Sequence, residues 1–273
     1  TSAWPLFGNS RVDERVSMLS QLFHENSKLN KTLDGPFGEQ VADFSQDLEL
    51  IKASMQASRH YPGHEQIKLP GAFPAYGPPL YSILRRRRSR RQFKEEAISL
   101  DSLAKLLWYG AGETEEVTHP AAPELVQKLR VAPSAGGFNS IELYLLVNSV
   151  ESLARGVYHY HSPTHSLAKL GGEEEVEKAW SHLLLLEGME KASLCFVLSG
   201  SMELLKQKYG ERGYRFLLLD AGHYAQNLLL AAEALQLAAV CLGGFHDDGL
   251  DENLGLAGEA ENSLYPVLVG CRT

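Results

Sequence analysis

The sequence predicts an α+β protein in which one sheet is packed by helices, and three observations carry that reading. Ile141 to Asn148 (IELYLLVN) and Gly156 to His161 (GVYHYH) are closely spaced β-branched and aromatic runs, read as a hairpin-like pair of strands. Two further apolar runs, Ala192 to Ser199 (ASLCFVLS) and Tyr265 to Val269 (YPVLV), lie far apart in the chain with helical patterns between them. The elements do not alternate regularly as strand, helix, strand. No GxGxxG follows a strand and opens a helix, so a doubly wound dinucleotide fold has no support.

In chain order, a first helix is expected around Val12 to Asn26 and a second around Phe37 to Ala57. Tyr61 to Pro79 is rich in proline and glycine and reads as an ordered arm rather than a core element. Residues 1–80 are therefore set apart as an N-terminal arm, and 81–273 as the main domain. Ser82 to Arg90 starts as helix. Ser99 is expected to cap a helix running to Trp108, with Leu100, Leu103 and Leu107 on one face and Gly110 and Gly112 at its end. Helices are also expected around Glu173 to Leu184, Met202 to Tyr209 and Phe216 to Leu242. The last is long and apolar, yet Asp220, His223 and Asn227 recur along one stripe. It reads as a buried central helix contributing to a subunit interface, not as a membrane span.

The chain carries 26 Lys+Arg against 34 Asp+Glu, a net charge of −8. Against that acidity, Arg85 to Phe93 reads RRRRSRRQF. A nucleic-acid binder presents a broad basic face, whereas a single basic focus on an acidic protein suits one small anionic ligand. Arginine suits phosphate because its planar fork meets two oxygens at once and stays charged. The plain alternative is a solvated charge run at a helix start. Some forty residues on, Pro133 to Phe138 reads PSAGGF, a small-residue loop with a hydroxyl and two glycines. The two segments look like two walls of a site for an anionic cofactor. Three cysteines with no CxxC argue against a disulfide framework and a zinc site, and fit a reducing, cytoplasmic setting. No secretory leader is recognised in the residues given.

The order RRSRRQF, LLWYGAG, RVAPSAGGFNSIELYLLV, GVYHY, KYGERGYRFLLLDAGHYAQNLLLAA, GGF and LYPVLVG resembles the FMN-dependent nitroreductase superfamily. Within it, the chain is most similar to SagB-type and McbC-like azoline dehydrogenases, the oxidising subunits of thiazole/oxazole peptide synthetases. The likeness covers Leu84 to Gly270, and FHENSKLN from Phe23 resembles the N-terminal part of SagB-type chains. It implies a nitroreductase-like fold, a central mainly antiparallel sheet flanked by helices, with FMN at a homodimer interface. It also implies FMN contacts from Arg87, Arg88, Ser89 and Arg91, with Phe93 packing and with Arg85 and Arg86 left as surface charges. Pro133, Ser134, Ala135 and Gly136 are implied to reach the flavin from the partner subunit. Gly243 and Gly244 are implied to bring backbone close to the ring, and Arg272 is a candidate phosphate ligand.

Lys208 and Tyr209 match the Lys-Tyr pair of the azoline dehydrogenases, which implies a base (Lys208) and a proton donor or relay (Tyr209). Dehydrogenating an azoline requires a base near the flavin, and a lysine serves only where its pKa is lowered. Otherwise Lys208 is a solvated helix lysine. His223 is expected to be a hydrogen-bonded core or interface residue. His246-Asp247-Asp248 is expected to be a loop rather than a metal site, and Cys195 a small buried hydrophobe. The function expected is FMN-dependent oxidation of peptidyl thiazolines or oxazolines. Alternatives are an NAD(P)H-dependent nitro/quinone reductase and a non-catalytic scaffold subunit of a peptide-modifying synthetase. Expected partners are a second copy of the chain and a cyclodehydratase with its peptide, with neither nucleic acid nor membrane.

Overall fold

The computed structural model describes residues 14–29, 34–55, 58–71, 73, 77–119, 122–256 and 261–273. Val12, expected to open the first helix, and Ala57, expected to close the second, lie outside them. The amino-terminal helices are α1 (Glu14–Asn26), α2 (Asp34–Gln46) and α3 (Leu48–Met55). The single helix expected from Phe37 is thus two, because Asp47 turns its carboxylate onto the Glu49 and Leu50 N–H groups and caps a new start. The segment read as an arm contains a strand, β1 (Gln66–Lys68), which adds an edge to the sheet by pairing with β7 (Ser166–Gly171).

Helix α4 (Leu80–Arg86) stops four residues short of the expected Arg90, and is followed by β2 (Phe93–Lys94). Its last turn carries Arg85 and Arg86, the sign of charge that a helix C-terminus favours. Helix α5 (Leu100–Ala111) is capped as expected, Ser99 Oγ accepting from the Ser102 N–H at 3.1 Å. Gly112 ends it, but Gly110 does not. A Cβ there would sit 2.6 Å from Leu228 Cδ2, so Gly110 lets α5 approach α8 (Gly213–Ala234) closely. Two strands without an apolar signature, β3 (Glu113–His119) and β4 (Ala122–Arg130), form a separate hairpin.

The main sheet continues with β5 (Ile141–Val147), β6 (Gly156–His161), β8 (Leu194–Ser201), β9 (Ala238–Cys241) and β10 (Glu261–Arg272). Its order is β1-β7-β6-β5-β8-β10-β2, with β9 also on β10, and every ladder is antiparallel. The expected hairpin pair is β5 and β6. Both sheet faces are buried, which is why the strands read as continuous apolar runs rather than as alternating ones. Leu143, Leu145, Phe196 and Leu198 belong to a core shared with α5 and α8. Tyr144, Leu146, Cys195 and Val197 belong to a second core that includes Val176 of α6 (Glu173–Ser181) and Leu250 of α9 (Asp247–Leu254). Cys195 is the buried hydrophobe expected, its thiol pushed up by burial.

Two expectations are corrected here. The helix read as Phe216 to Leu242 ends at Ala234. Gln236 turns at φ 60°, and Ala238–Cys241 becomes β9, a buried strand on β10. His246-Asp247-Asp248 is not a loop: His246 is the N-cap residue of α9 and both aspartates occupy its first turn, where the helix dipole favours them. Among the described residues no helix is long and apolar enough to cross a membrane.

The residues before 81 are packed onto the rest. Arg215 donates to Ser27 Oγ at 2.8 Å and to the His24 carbonyl at 2.6 Å, and Phe23 meets Tyr214 edge-on at 5.3 Å. Arg59 donates from its backbone N–H to Glu142, pairs with the buried Glu261, and faces the hydroxyls of Tyr61 and Tyr144.

Candidate active site

The arginine segment leaves the helix at Arg87, whose backbone is extended (φ −51°, ψ 127°) and whose N–H bonds the Ile83 carbonyl. Arg88 folds back on the freed carbonyls of Arg85 and Arg87, at 3.0 and 2.7 Å. The Arg90 N–H donates to Ala239 on β9, and Phe93 is buried in β2 opposite Arg272. Gly243 and Gly244 follow β9 directly. The structure therefore brings the arginine run and the two glycines to one place. Arg88, Ser89 and Arg91 are exposed.

Whether these residues suit an anionic cofactor can be judged from what they lack. Among the described residues Arg87, Arg88 and Arg91 enter no ion pair, and Arg90 Nε is buried without an acceptor. A Cβ built on Gly243 meets open space, so its backbone is free to be approached. The donor set thus fits an anionic group such as a phosphate. Arg272 is different: its guanidinium serves Glu233 at 2.7 Å and the Leu237 carbonyl at 3.0 Å, so the fold already uses the group expected to hold phosphate. Arg86, expected to be a surface charge, also reaches Glu233 at 3.4 Å. A buried carboxylate needs such partners.

The second wall forms at the other end of α8. Asp220, 3% exposed, accepts from Ser134 Oγ at 2.8 Å and from the Ala135 N–H at 3.0 Å, while Ser134 Oγ accepts from the Asn139 N–H. Gln127 of β4 holds the far side of the loop through the Gly137 carbonyl at 2.8 Å. Gly136 sits at φ 63°, in the left-handed region, with Pro133, Ser134 and Ala135 leading into it. A Cβ on Gly136 would lie 2.7 Å from Tyr209 Oη and 3.4 Å from Lys208 Nζ, so the loop and the Lys-Tyr pair share one site. Both residues come from the end of α7 (Glu203–Tyr209). Beside them is a cleft of about 370 Å³ lined by Pro133, Ala135, Tyr209, Phe216 and His223. His223 is exposed at this cleft, which removes the core alternative expected for it and leaves the interface one.

Burial sets the protonation of this wall. It pushes the Lys208 amine below the usual lysine value. Tyr209 is pushed up by burial and by the neighbouring Asp220 charge. Asp220 is itself raised by burial, which outweighs its hydrogen bonds to Ala135 and Ser134 and the pull of His223. Among the described residues Lys208 Nζ has no hydrogen-bond or ion-pair partner. An amine without a carboxylate, losing its proton more readily than usual, is equipped to accept a proton from something else.

From Asp220 to Glu233 along α8 is thirteen residues, or about 20 Å of helix. The two walls are therefore at opposite ends of one helix in one chain. Apolar residues exposed on the same elements include Tyr81 and Leu84 on α4 and Leu218 and Leu219 on α8. Asp220, Gln127, Arg90 and Glu233 were missed as site residues by reading the sequence. Two left a trace, Asp220 as part of the polar stripe on an apolar helix and Arg90 as a member of the arginine run.

With this geometry in hand, the comparisons with known proteins are direct. The Nitroreductase family matches residues 84–271, and the chain belongs to that family of oxidoreductases, whose members typically bind flavin. It is 29% identical, over 70% of its length and 88% of the relative, to a Methanocaldococcus jannaschii protein that bears a nitroreductase name. It is 25% identical to the trifolitoxin operon protein TfxC of Rhizobium leguminosarum bv. trifolii, over 68% of this chain. Among solved structures it is similar to a nitroreductase-titled chain from Anabaena variabilis (TM-score 0.65, 25% identity, 79% of this chain). It shares its fold with a chain of the E. coli microcin synthetase McbBCD complex with truncated pro-MccB17 bound (TM-score 0.55, 20% identity, 96% of this chain and 94% of that one). The chain spans 54% of TfxC and 43% of the Anabaena chain.

Proposed function

We propose that the protein is an FMN-dependent dehydrogenase that oxidises peptidyl thiazoline or oxazoline rings to thiazole or oxazole. The observation that carries this reading is Lys208: a half-buried amine without a partner among the described residues, its basicity lowered by burial, beside Tyr209 and the loop at Gly136. A nitro or quinone substrate gives such an amine no proton to remove. The name of TfxC, a toxin-operon protein, supports placing the chain near peptide modification.

In this reading one copy of the chain offers Arg87, Arg88, Ser89 and Arg91 to the phosphate, ribityl chain and pyrimidine edge of FMN, and Gly243 and Gly244 to its ring. The second copy offers Pro133, Ser134, Ala135 and Gly136, together with Lys208 and Tyr209. When bound, FMN supplies the two-electron acceptor that takes one ring hydrogen as hydride. Neutral Lys208 takes the other ring hydrogen as a proton at Nζ, and the Tyr209 hydroxyl is placed to donate to or relay it. The ring loses two hydrogens and gains one double bond. A cyclodehydratase is the partner that would make the azoline.

The test is anaerobic single turnover of the flavin-loaded protein with a peptidyl thiazoline. Flavin bleaching matched by a two-hydrogen mass loss in the peptide is expected, and Lys208→Ala should slow it by about 10²–10⁴-fold. Full activity in Lys208→Ala removes the base assignment. Steady NADPH oxidation with a nitro compound, and none with azolines, replaces this reading with a nitro/quinone reductase.

A further inference from the structure

Lys208 is enclosed by three aromatic rings, and one of them comes from the amino-terminal helices. Its Nζ lies 5.3 Å from the ring centroid of Phe44, 5.2 Å from that of Phe138 and 5.4 Å from that of Tyr209. Phe44 is on α2, is 4% exposed, and meets Phe138 at 5.3 Å between centroids. Helix α2 is fastened to α7 next to the lysine: Gln40 Nε2 donates to the carbonyls of Gln207 at 2.8 Å and Lys206 at 3.2 Å. Phe37, also on α2, stacks on Tyr209 at 6.4 Å.

We propose that Phe44 is a positioning residue for Lys208: by closing the box with Phe138 and Tyr209, it shuts water from Nζ and aims the amine at the loop around Gly136. This rests on Lys208 being the base, and it makes α2 part of the active site. Ring faces attract an ammonium but offer it no proton acceptor, so their pull on the charge opposes the loss of solvation without giving the proton a place to go. Removing water from around it disfavours the charged form, the direction that burial drives Lys208. The ionisable groups on the elements packed round it are Glu39 and Asp43 on α2, Glu203, Lys206 and Tyr209 on α7, Asp220 on α8, and Lys128 on β4; none is bonded to Nζ among the described contacts. Burial lowers the amine's pKa against the attraction of the rings for its charge, so the residue that excludes water from Nζ sets how readily the proton leaves.

The test is reductive methylation of the intact protein across pH, read at Lys208 by peptide mass spectrometry against exposed lysines such as Lys52. In the unsubstituted protein Lys208 should react with a midpoint below theirs. Phe44→Ala should raise that midpoint by about one pH unit or more. It should also lower kcat/KM at neutral pH by about tenfold, with recovery at alkaline pH. Phe44→Trp should hold the midpoint, and Phe37→Ala, whose ring touches Tyr209 and not Nζ, should leave it in place. An unchanged midpoint in Phe44→Ala, with α2 still protected from hydrogen exchange, overturns the proposal. Should Phe44→Ala release α2, Phe44→Leu decides: a partial upward shift supports the box, and none overturns it. Labelling reads the amine whether or not it is catalytic. A midpoint that moves in a protein unable to oxidise azolines therefore sinks the base assignment while leaving the box standing.

Discussion

If Lys208 is the base proposed above, it must be neutral to act, and burial lowers its folded pKa below the ordinary 10.5. The pH–rate profile should therefore rise along a limb placed below the usual lysine range, and Lys208→Ala should abolish that limb. Stability follows the same sign: between the folded value and 10.5 the unfolded chain binds more protons, so folding gains as pH rises through that window. Asp220 is the second residue with a sharp consequence. Asp220→Ala leaves the Ala135 N–H and the Ser134 hydroxyl proton without their acceptor in a partly buried loop, which should cost about 2 kcal/mol and lower Tm by roughly 5 °C in a thermal scan. Lys208 and Tyr209 were legible because they sit in a recognisable string of letters. Phe44 was not, because 164 residues separate it from the lysine it covers and nothing in FGEQVADFS marks one ring as an active-site wall.

Elements were legible where one pattern ran their whole length. The apolar runs of β5 and β8 and the capped, periodic α5 are of that kind. Strands β3 and β4 (ETEEVTH, APELVQKLR) were not, because a two-stranded hairpin outside the main sheet buries its residues only in part and imposes no clean alternation. The helix read through to Leu242 failed because Leu- and Ala-rich sequence suits a buried helix and a buried strand alike, and the turn at Gln236 carries neither Gly nor Pro. Gly110 misled in the opposite way, as a stop signal that is a crossing point. Helix propensity favours Gly110→Ala by about 1 kcal/mol. Its methyl would nonetheless press on Leu228, and overpacking of about 1–3 kcal/mol should win. A lowered midpoint in chemical denaturation is the expected result. A raised one would mean that α5 and α8 can part without loss.

For the molecule as a whole, the arrangement turns on Arg59 and on the length of α8. Arg59 precedes residue 81 yet neutralises Glu261 on the central strand β10. Arg59→Ala leaves that buried carboxylate with the Ser199 hydroxyl but no countercharge, and should cost about 3 kcal/mol in equilibrium unfolding, toward the low end for such pairs because the arginine is partly exposed. The sheet and its helices could be anticipated from the sequence. That the two candidate walls stand at opposite ends of one helix could not, since motif order says nothing of distance. If two copies join across the exposed apolar residues of α4 and α8, Leu219→Glu should shift sedimentation toward monomer and reduce flavin content in parallel. The separation of the walls also has a genetic consequence. In the proposed two-copy site, a chain defective in Arg91 and a chain defective in Lys208 would each be inactive alone, but in a mixed assembly one pocket would collect both lesions and the other none. Co-expression of the two should restore turnover that neither parent shows, whereas two lesions on the same wall should fail to complement.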